Sequence, residues 1–312
     1  MINLQRLRLL YELSVLGTIS SVAHAMHLTR PAVSQQLALL EKEVGEPLLE
    51  RSVRGTRLTA TGQALANRAS EVFTLVDRLD EDLQSQRDLI AGEVRISAFG
   101  SLATGLAPAA FKQIQSNHPM VRLSFTEIES NGGLKAVVAR EVDLAVIDEW
   151  ADIARPARPL EFAPLGEDRF ILVVGKHHPL ADRKQVRLHE LSEDAWAINQ
   201  AAPAYRAKLM RACQEAGFTP REVCSCHNIT ATVEFVRETG LVAILPTLGL
   251  GPFRNNDQIR LISLNPPIRR KIRVAMLPQA LHRPAVNAAY QALREVAGRV
   301  PTTVVQAEDE RH

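Results

Sequence analysis

The stretch that most constrains the fold is residues 18–62, which reads as two short helices joined by a tight turn and followed by a basic hairpin. Thr18 suits the N-cap of a helix over residues 19–27, because its hydroxyl can accept a bond from a free N–H of the first turn. Thr29 suits the cap of a second helix, with Pro31 in the first turn, where a missing N–H costs nothing. This pattern predicts a compact helical hairpin.

The second predicted helix has two different faces. Apolar residues spaced four, three and four apart form a stripe that should face a core; they are Val33, Leu37, Leu40 and Val44. The opposite face is small, polar and mildly basic, and it carries Arg30, Pro31, Ser34, Gln35 and Ala38. Such a face suits a recognition helix whose N-terminal half enters a major groove. An ordinary helical hairpin with a solvated face is the alternative.

The basic hairpin favours DNA binding over that alternative. Arg51, Arg54 and Arg57 lie within seven positions around Gly55, in a segment that reads as a turn between two short strands. Arginines on a wing beside a recognition helix can hold phosphates or reach the minor groove. The overall net charge of +2 is too small to indicate a nucleic-acid partner by itself.

This segment resembles the N-terminal winged helix-turn-helix of LysR-type transcriptional regulators. The positions that carry the resemblance are Thr29, Pro31, Ala32, Val33, Ser34, Leu40, Glu41, Gly45, Arg51, Leu58, Thr59 and Gly62. The chain departs from the family pattern at Arg30 (usually Gln), Gln35 (often Arg) and Leu49 (usually Phe). The first two departures lie on the reading face, so they bear on which bases are preferred.

The resemblance implies a function and a set of DNA contacts. The expected target is an interrupted palindrome near a promoter, read by two subunits, and RNA polymerase is left open as a further partner. Base edges would be read by Arg30, Ser34 and Gln35, on the same face as Pro31. Phosphates would be positioned by Thr29, Gln36, Arg51 and Arg54.

Composition places the chain among ordinary soluble proteins. A chain of 312 residues with 46% hydrophobic and 23% charged residues has room for two or three domains. The N-terminal segment is interrupted by charges and resembles an amphipathic helix more than a signal sequence. No apolar run approaches a membrane span. Three cysteines do not make a disulfide framework, so we expect a cytoplasmic protein.

Residues 59–90 are predicted to form one long linker helix. Its apolar residues alternate spacings of four and three, as in a heptad seam; they are Leu65, Ala69, Val72, Val76, Leu79 and Leu83. A helix of this length could pack on its own domain. Pairing with its copy in a second subunit is the preferred interpretation, which gives a homodimer and leaves a homotetramer open.

Residues 91–302 alternate strands and helices, which predicts parallel α/β sheets. They divide into subdomain I (about 91–163 and 268–302) and subdomain II (about 164–267). Two such subdomains joined by two crossing strands resemble the periplasmic-binding-protein fold of the family's effector domain. The fold class is therefore α/β with an N-terminal all-α winged helix-turn-helix at residues 1–58. The acidic tail, 303–312, is predicted to be disordered.

A ligand of an open α/β sheet binds beyond the carboxyl ends of its strands. That rule selects Ser101, Leu102, Thr104, Ser130, Asn131, Asn199, Gln200, Asn228 and Thr230 as candidate contacts. In the family, such side chains hold a small metabolite, whose identity the sequence does not give. The alternative is that these residues are simple helix caps.

Other candidate sites are interpreted as structural. Cys224 and Cys226 should face the same side of one strand, where an unstrained disulfide is poorly placed. His177 and His178 have no Cys or carboxylate at metal-ligand spacing. No motif indicates a metal, a cofactor or catalysis. The rival functions are a solute-binding protein without a DNA-binding role and an enzyme built on the two-lobed fold.

Overall fold

The computed structural model describes residues 2–52, 55–85, 90–152, 156, 158–200 and 203–299. Within these ranges only the backbone is described at residues 51, 52, 55, 70, 71, 74 and 77–85. Arg54 and the tail at 303–312, both subjects of prediction above, lie outside the described residues.

The N-terminal head contains three helices and a two-stranded wing. The helices are α1 (Leu4–Leu16), α2 (Ile19–Ala25) and α3 (Arg30–Val44), and an antiparallel pair follows, β1 (Leu49–Ser52) and β2 (Gly55–Leu58). Helix α2 ends two residues before the predicted end at position 27. Gly17 and Gly45 end α1 and α3 in the left-handed region, at φ of 74° and 79°, which glycine adopts without steric cost.

Helix α4 (Ala60–Ser85) leaves the wing and packs first on the head. Its buried residues Ala69 and Phe73 contact Leu7 of α1, so the beginning of the predicted seam belongs to the head core. Farther along, apolar side chains are exposed: Val72 at 37%, Leu75 at 57% and Val76 at 37%. The side chains of Leu79 and Leu83 lie outside the described residues.

The effector domain begins with a parallel βαβαβ unit, as predicted. Its elements are β3 (Gly92–Ala98), α5 (Gly100–Gly105), α6 (Ala107–Asn117), β4 (Val121–Glu127), α7 (Ser130–Val138) and β5 (Leu144–Asp148). Strand β3 pairs in parallel with both β4 and β5. The single helix predicted after β3 is two helices, because the backbone leaves the helical conformation at Leu106 (φ −124°).

The rest of the chain builds the second lobe and returns to the first. The elements are β6 (Glu161–Gly175), β7 (Gln185–Val186), β8 (Ala195–Asn199), α8 (Pro203–Glu215), β9 (Arg221–Cys226), α9 (Ile229–Thr239), β10 (Ala243–Pro246), β11 (Ile259–Leu264), β12 (Arg269–Met276) and α10 (Pro284–Arg299). Short 3₁₀ segments cover Leu188–Leu191, Thr247–Phe253 and Ala280–His282. Strands β7 and β11 were not predicted.

One strand joins the two lobes into a continuous sheet. Strand β6 is 15 residues long, and its first part pairs antiparallel with β12 while its last part pairs with β10 and β11. The order across the sheet is β4-β3-β5-β12-β6-β11-β7. Strands β6 and β12 are therefore the two crossing strands, and β6 begins well before the predicted apolar run at Phe170.

The lobes also touch directly on one side of this hinge. A Cβ atom at Gly105 of α5 would overlap the carbonyl oxygen of Leu248, which belongs to the second lobe. A Cβ atom at Gly249 would lie 3.1 Å from the Cβ atom of Ser101. Only glycine allows this close approach of the two backbones.

Two features are not found in the part of the chain that the structure describes. Every helix there is too short or too polar to cross a membrane. Within the same ranges, no three His, Cys, Asp or Glu side chains are grouped as a metal site would require.

Candidate DNA-binding surface and candidate effector cavity

Helix α3 presents its polar face to solvent. Arg30, Pro31, Ser34 and Gln35 are exposed at its N-terminal half, opposite the buried Val33 and Leu37. Thr29 is exposed as well, and its Oγ1 caps the helix by accepting a bond from the N–H of Ala32 at 3.3 Å. The cap fixes the start of the helix and leaves the Thr29 hydroxyl proton for an acceptor such as a phosphate oxygen.

Gln36 is half-buried between α3 and α1. Its Oε1 accepts a bond from Nε of Arg6 at 2.9 Å, and Arg6 also pairs with Glu43 at the end of α3. The amide oxygen of Gln36 therefore already has a partner within the head. Its NH₂ group remains as a donor for a phosphate.

The wing is held to α3 by a single carboxylate. Oε1 of Glu41 accepts bonds from the backbone N–H groups of Leu48 and Leu49, at 2.8 and 2.9 Å. These bonds satisfy two donors where the chain enters β1. The backbone of Arg51 lies in β1 opposite Thr56, and its side chain and all of Arg54 lie outside the described residues. The sequence pattern identified Glu41 only as a motif position.

Two further motif positions fix the junction of the wing and α4. Oγ1 of Thr59 donates to the carbonyl of Pro47 at 2.8 Å and accepts from the N–H of Gly62 at 3.0 Å. A Cβ atom at Gly62 would overlap the carbonyl oxygen of Leu48. The spacing of Thr59 and Gly62 is therefore set by the close packing of α4 on the loop before the wing.

A cavity of about 150 Å³ lies where the two lobes meet the crossing strands. It is lined by Phe99, Gly100, Ser101, Thr104, Glu127, Glu129, Phe170, Asn199, Tyr205, His227, Asn228, Ile229, Thr230, Pro246, Gly249, Phe253 and Arg270. The lining therefore combines both lobes with β6 and β12. Enclosed, mostly apolar walls with a few polar groups are typical of small-molecule sites.

The structure brings five of the nine predicted contacts to this cavity. They come from both lobes: Ser101 and Thr104 from the first, and Asn199, Asn228 and Thr230 from the second. Asn228 is also a helix cap, because its Oδ1 accepts a bond from the N–H of Ala231 at 2.8 Å. Asn228 can therefore cap the helix with its amide oxygen and contact a ligand with its NH₂ group.

The other four predicted contacts lie outside the cavity lining. Leu102 is fully buried in the core of the first lobe. Ser130 accepts a bond from the N–H of Asp148 at 3.2 Å, and Asn131 accepts one from Asp152 at 2.9 Å. Gln200 donates to Glu222 at 2.9 Å. All four residues follow a strand, as predicted. The side chain of Leu102 packs in the core, and the side chains of the other three bond to a backbone or surface partner.

The strand-end rule missed the buried cation of the cavity. Arg270 lies on β12, and its Nε and Nη2 atoms donate to Oδ2 of Asp168 on β6 at 3.1 and 2.7 Å. Nη2 also donates to Oγ of Ser101 at 2.6 Å. The guanidinium lies over the rings of Phe99 and Phe170, 4.4 and 5.1 Å from their centroids. Because Arg270 and Asp168 are 102 positions apart, no local pattern pairs them.

The same network continues into the second lobe. Oδ1 of Asp168 accepts bonds from Oγ1 of Thr247 at 2.8 Å and from the N–H of Leu248 at 3.2 Å. A chain of charge-assisted bonds thus joins Ser101, Arg270, Asp168 and Thr247 across the hinge. A ligand that displaces Ser101 or Arg270 would act on both lobes at once.

Two carboxylates of the first lobe face the cavity beside this network. Glu127 ends β4 and Glu129 follows it, so the rule that selected Ser130 could have selected them too. Burial raises the pKa of Glu129 to about 7, with a further upward contribution from Asp148 and a smaller one from Glu127, against the lowering effect of Arg270. Burial also raises the pKa of Asp148 above its ordinary value.

The structure also places the cysteine and histidine pairs. The Sγ atoms of Cys224 and Cys226 are 3.5 Å apart on β9, with both thiols free. Burial raises the pKa of Cys224 to about 11. His178 contacts Asp194 at 3.2 Å and accepts a bond from the N–H of Leu180, which is a structural role within a turn.

A winged helix-turn-helix head on a long helix, followed by two lobes with a cavity at their hinge, defines a DNA-binding protein with a ligand-binding domain. The chain belongs to the LysR family. Residues 4–63 match the profile "Bacterial regulatory helix-turn-helix protein, lysR family", and residues 87–298 match "LysR substrate binding domain". The chain is therefore a LysR-type DNA-binding transcriptional regulator, and the alternative of a solute-binding protein without a DNA-binding role is not supported.

Relatives and solved structures agree with this assignment. The probable transcriptional regulator LrrA of Synechococcus elongatus is 26% identical over 96% of this chain and 99% of its own. A full-length OxyR variant from Pseudomonas aeruginosa has a TM-score of 0.67 at 19% identity, covering 94% of this chain and 98% of that one. Full-length CbnR in complex with its target DNA has a TM-score of 0.54 at 19% identity, covering 95% and 99%. LysR regulators bind DNA and small-molecule effectors and form oligomers.

Proposed function

We propose that a small-molecule effector binds in the cavity between the lobes and changes how the paired heads are held on promoter DNA. The observation that carries this proposal is that the lining comes from both lobes and from the crossing strand that bears Arg270. An effector can shift a conformational equilibrium only through different affinities for the two states. A ligand that contacts Thr104 of one lobe and Thr230 of the other would bind two arrangements of the lobes with different affinities, because it cannot keep both contacts when the lobes move.

We further propose which residues contact the bases of the DNA and which contact its phosphates. Base edges in the major groove are read by Arg30, Ser34 and Gln35. The exposed position of these residues on α3 supports this role. The phosphate backbone is positioned by Thr29, Gln36, Arg51 and Arg54. The half-exposed Val72 and Val76 of α4 would pair with a second copy of the helix, which places two recognition helices on two half-sites.

Three general features complete the proposal. Residues 1–58 form the DNA-binding domain, 59–90 the linker helix and 91–302 the effector domain. The protein acts in the cytoplasm, where its DNA target lies. It is a regulator without an enzymatic activity of its own, a role supported by the similarity to transcriptional regulators such as LrrA.

The DNA contacts are tested by selecting genomic fragments with the purified protein and sequencing those that bind. Wild-type protein should enrich a few promoter sites with dyad symmetry. Gln35→Ala and Arg30→Ala should each relax the preference at one base of each half-site, at a cost of about 1–3 kcal/mol per contact. Arg122→Ala, an exposed change on β4, is the matched control. Unchanged site sequences in both α3 variants would show that the reading residues are wrongly assigned.

The effector role is tested on one of the selected promoters. A library of small metabolites is screened for compounds that change the footprint of the wild-type protein. Thr104→Val and Thr230→Val, one from each lobe, should weaken the response to such a compound, because each removes a hydroxyl from the cavity. A full response in both variants would place the effector elsewhere.

A further inference from the structure

Arg270, the one Arg or Lys side chain among the residues that line the cavity, is already neutralised. Arg270 gives its Nε and Nη2 donors to Asp168 and Ser101, and its Nη1 lies 3.8 Å from Oδ2 of Asp148. Its guanidinium also lies over the rings of Phe99 and Phe170. A guanidinium with these partners has no pair of adjacent N–H donors left for a bidentate bond to the carboxylate of a ligand.

The remaining charge at the cavity is negative. Glu127 and Glu129 line it, and the two carboxylates that hold Arg270, Asp148 and Asp168, stand directly behind it. Four carboxyl groups stand against one guanidinium, so the partly enclosed space carries an excess of negative charge once Glu129, whose pKa is about 7, is ionised. Charges interact more strongly there than in water, so an anionic ligand would be repelled and a cationic one attracted.

The uncharged groups fit the same kind of ligand. The hydroxyl of Thr104 donates to the carbonyl of Gly100 at 3.1 Å, so toward the cavity it offers an acceptor. The hydroxyl of Tyr205 is bonded to the carbonyl of Ile244 at 2.6 Å, so this residue presents its ring and not its donor. Phe99 and Phe253 add apolar surface to the lining. Aromatic rings beside carboxylates are favourable surroundings for an organic cation.

We infer that the effector is a small organic cation, an amine or amidine whose protonated nitrogen pairs with Glu127 and Glu129 and whose apolar part lies against the aromatic rings. This inference rests on the proposed function, since it takes the cavity to be the effector site. The volume of about 150 Å³ limits the enclosed part of the ligand to roughly the size of one benzene ring.

The test compares three probes of nearly the same shape and different charge: benzamidinium, benzamide and benzoate. Their binding to the full-length protein is measured by titration calorimetry at pH 8, above the pKa of about 7 of Glu129. Benzamidinium should bind at least about tenfold more tightly than benzoate, with benzamide between them. Equal binding of all three, tighter binding of benzoate, or no binding of benzamidinium up to roughly 10 mM would overturn the inference.

Isosteric variants locate the charge that is responsible. Glu127→Gln and Glu129→Gln should each reduce the ratio of benzamidinium to benzoate affinity by about tenfold or more. Glu161→Gln, at an exposed position outside the cavity, should leave the ratio unchanged. The thermal unfolding of each variant is recorded without probe to establish that it is folded. A ratio that stays at the wild-type value in both cavity variants would also overturn the inference.

The failure of this inference is distinguishable from the failure of the proposed function. If the promoter footprint responds to a carboxylate or a neutral compound and the response is lost in Thr104→Val, the cavity is the effector site and only the ligand class is wrong. If benzamidinium binds with the expected preference but no compound that occupies the cavity alters the footprint, the ligand class is right and the regulatory role is wrong.

Discussion

Arg158 and Glu12, which are 146 positions apart, form a buried ion pair that ties the effector domain to the DNA-binding head. Both side chains are only 3% exposed, and the guanidinium of Arg158 also lies over the ring of Tyr11, 5.1 Å from its centroid. Glu12 lies on α1, which in turn packs on α4 and α3. The effector domain therefore contacts the head directly through α1, in addition to its connection through the linker helix.

Breaking this pair should cost far more than breaking an exposed one. Arg158→Ala leaves the Glu12 carboxylate buried without its main partner, which should lower the free energy of unfolding by about 3–5 kcal/mol. Arg211→Ala, which removes an exposed pair with Glu215 (77% and 67% exposed), should cost roughly 0.5 kcal/mol or less. Urea unfolding followed by circular dichroism measures both, and equal midpoints would contradict the importance of the buried pair.

The double variant separates packing from charge. Glu12→Leu with Arg158→Met replaces the pair with apolar side chains of similar size, so most of the lost stability should return. If the head also docks on the effector domain through this contact, limited proteolysis should cut the linker faster in Arg158→Ala than in the double variant.

Gly62 should be intolerant of the smallest substitution. Gly62→Ala places a methyl group against the backbone carbonyl of Leu48, which cannot move without shifting the wing, so we expect a loss of about 1–3 kcal/mol and weaker DNA binding. Gly298→Ala is the matched control on α10, where a Cβ atom meets nothing within 4 Å. That change should stabilise the helix by about 0.5–1 kcal/mol. Thermal unfolding that ranks the two variants in the opposite order would refute this account of the motif.

Sequence patterns predicted the elements well because they depend on local chemistry. The cap at Thr29, the stripe through Val33 and Leu37 and the glycine at position 45 all act within one or two turns of α3. The parallel βαβαβ unit follows from the alternation of strands and helices. The break at Leu106 was missed, although Pro108, which has no N–H to donate to the preceding turn, lies in the first turn of α6.

The cavity was only partly predictable for a related reason. Residues at strand ends, such as Ser101 and Asn228, could be found from the order of elements. Arg270 could not, because it is the second residue of β12, away from the carboxyl end of that strand, and acquires its role from Asp168, which is far away in sequence. Ser130 illustrates the opposite error: it has the right position, but its hydroxyl is bonded to the backbone of Asp148.

The thiols of Cys213 on α8 and Cys224 on β9 should react slowly in the folded protein. With its pKa raised to about 11, Cys224 is almost entirely protonated at pH 7.5, and the buried Cys213 has a pKa of about 12. Since the thiolate is the nucleophile, iodoacetamide should modify Cys224 roughly two orders of magnitude, and Cys213 roughly three orders of magnitude, more slowly than a free cysteine. Mass spectrometry of the intact protein follows the reaction, with urea-unfolded protein as the control. Rapid modification of Cys224 in the native protein would be the contrary result.

Glu129→Gln should stabilise the protein at high pH and have no such effect at low pH. The pKa of Glu129 is about 7 in the folded protein against an ordinary value of 4.5, so the folded state binds the proton more tightly than the unfolded state does. The stability that this proton provides is therefore complete below about pH 4.5 and is lost as the pH rises through 7. Above pH 7 the half-buried carboxylate is ionised beside Glu127 and Asp148, and Arg270 and the backbone N–H of Gly100 offset this cost only in part.

The neutral amide avoids that cost. At pH 8 the midpoint of thermal unfolding should be higher in Glu129→Gln than in the wild type by a few degrees, at roughly 2–4 °C per kcal/mol for a domain of this size. The difference should shrink between pH 7 and pH 5 and vanish near pH 4.5, because both side chains are then neutral. Glu161→Gln, on the exposed start of β6, should show no such dependence. A midpoint difference for Glu129→Gln that is constant from pH 4.5 to pH 8 would mean that the gain comes from packing and not from the charge of this carboxylate.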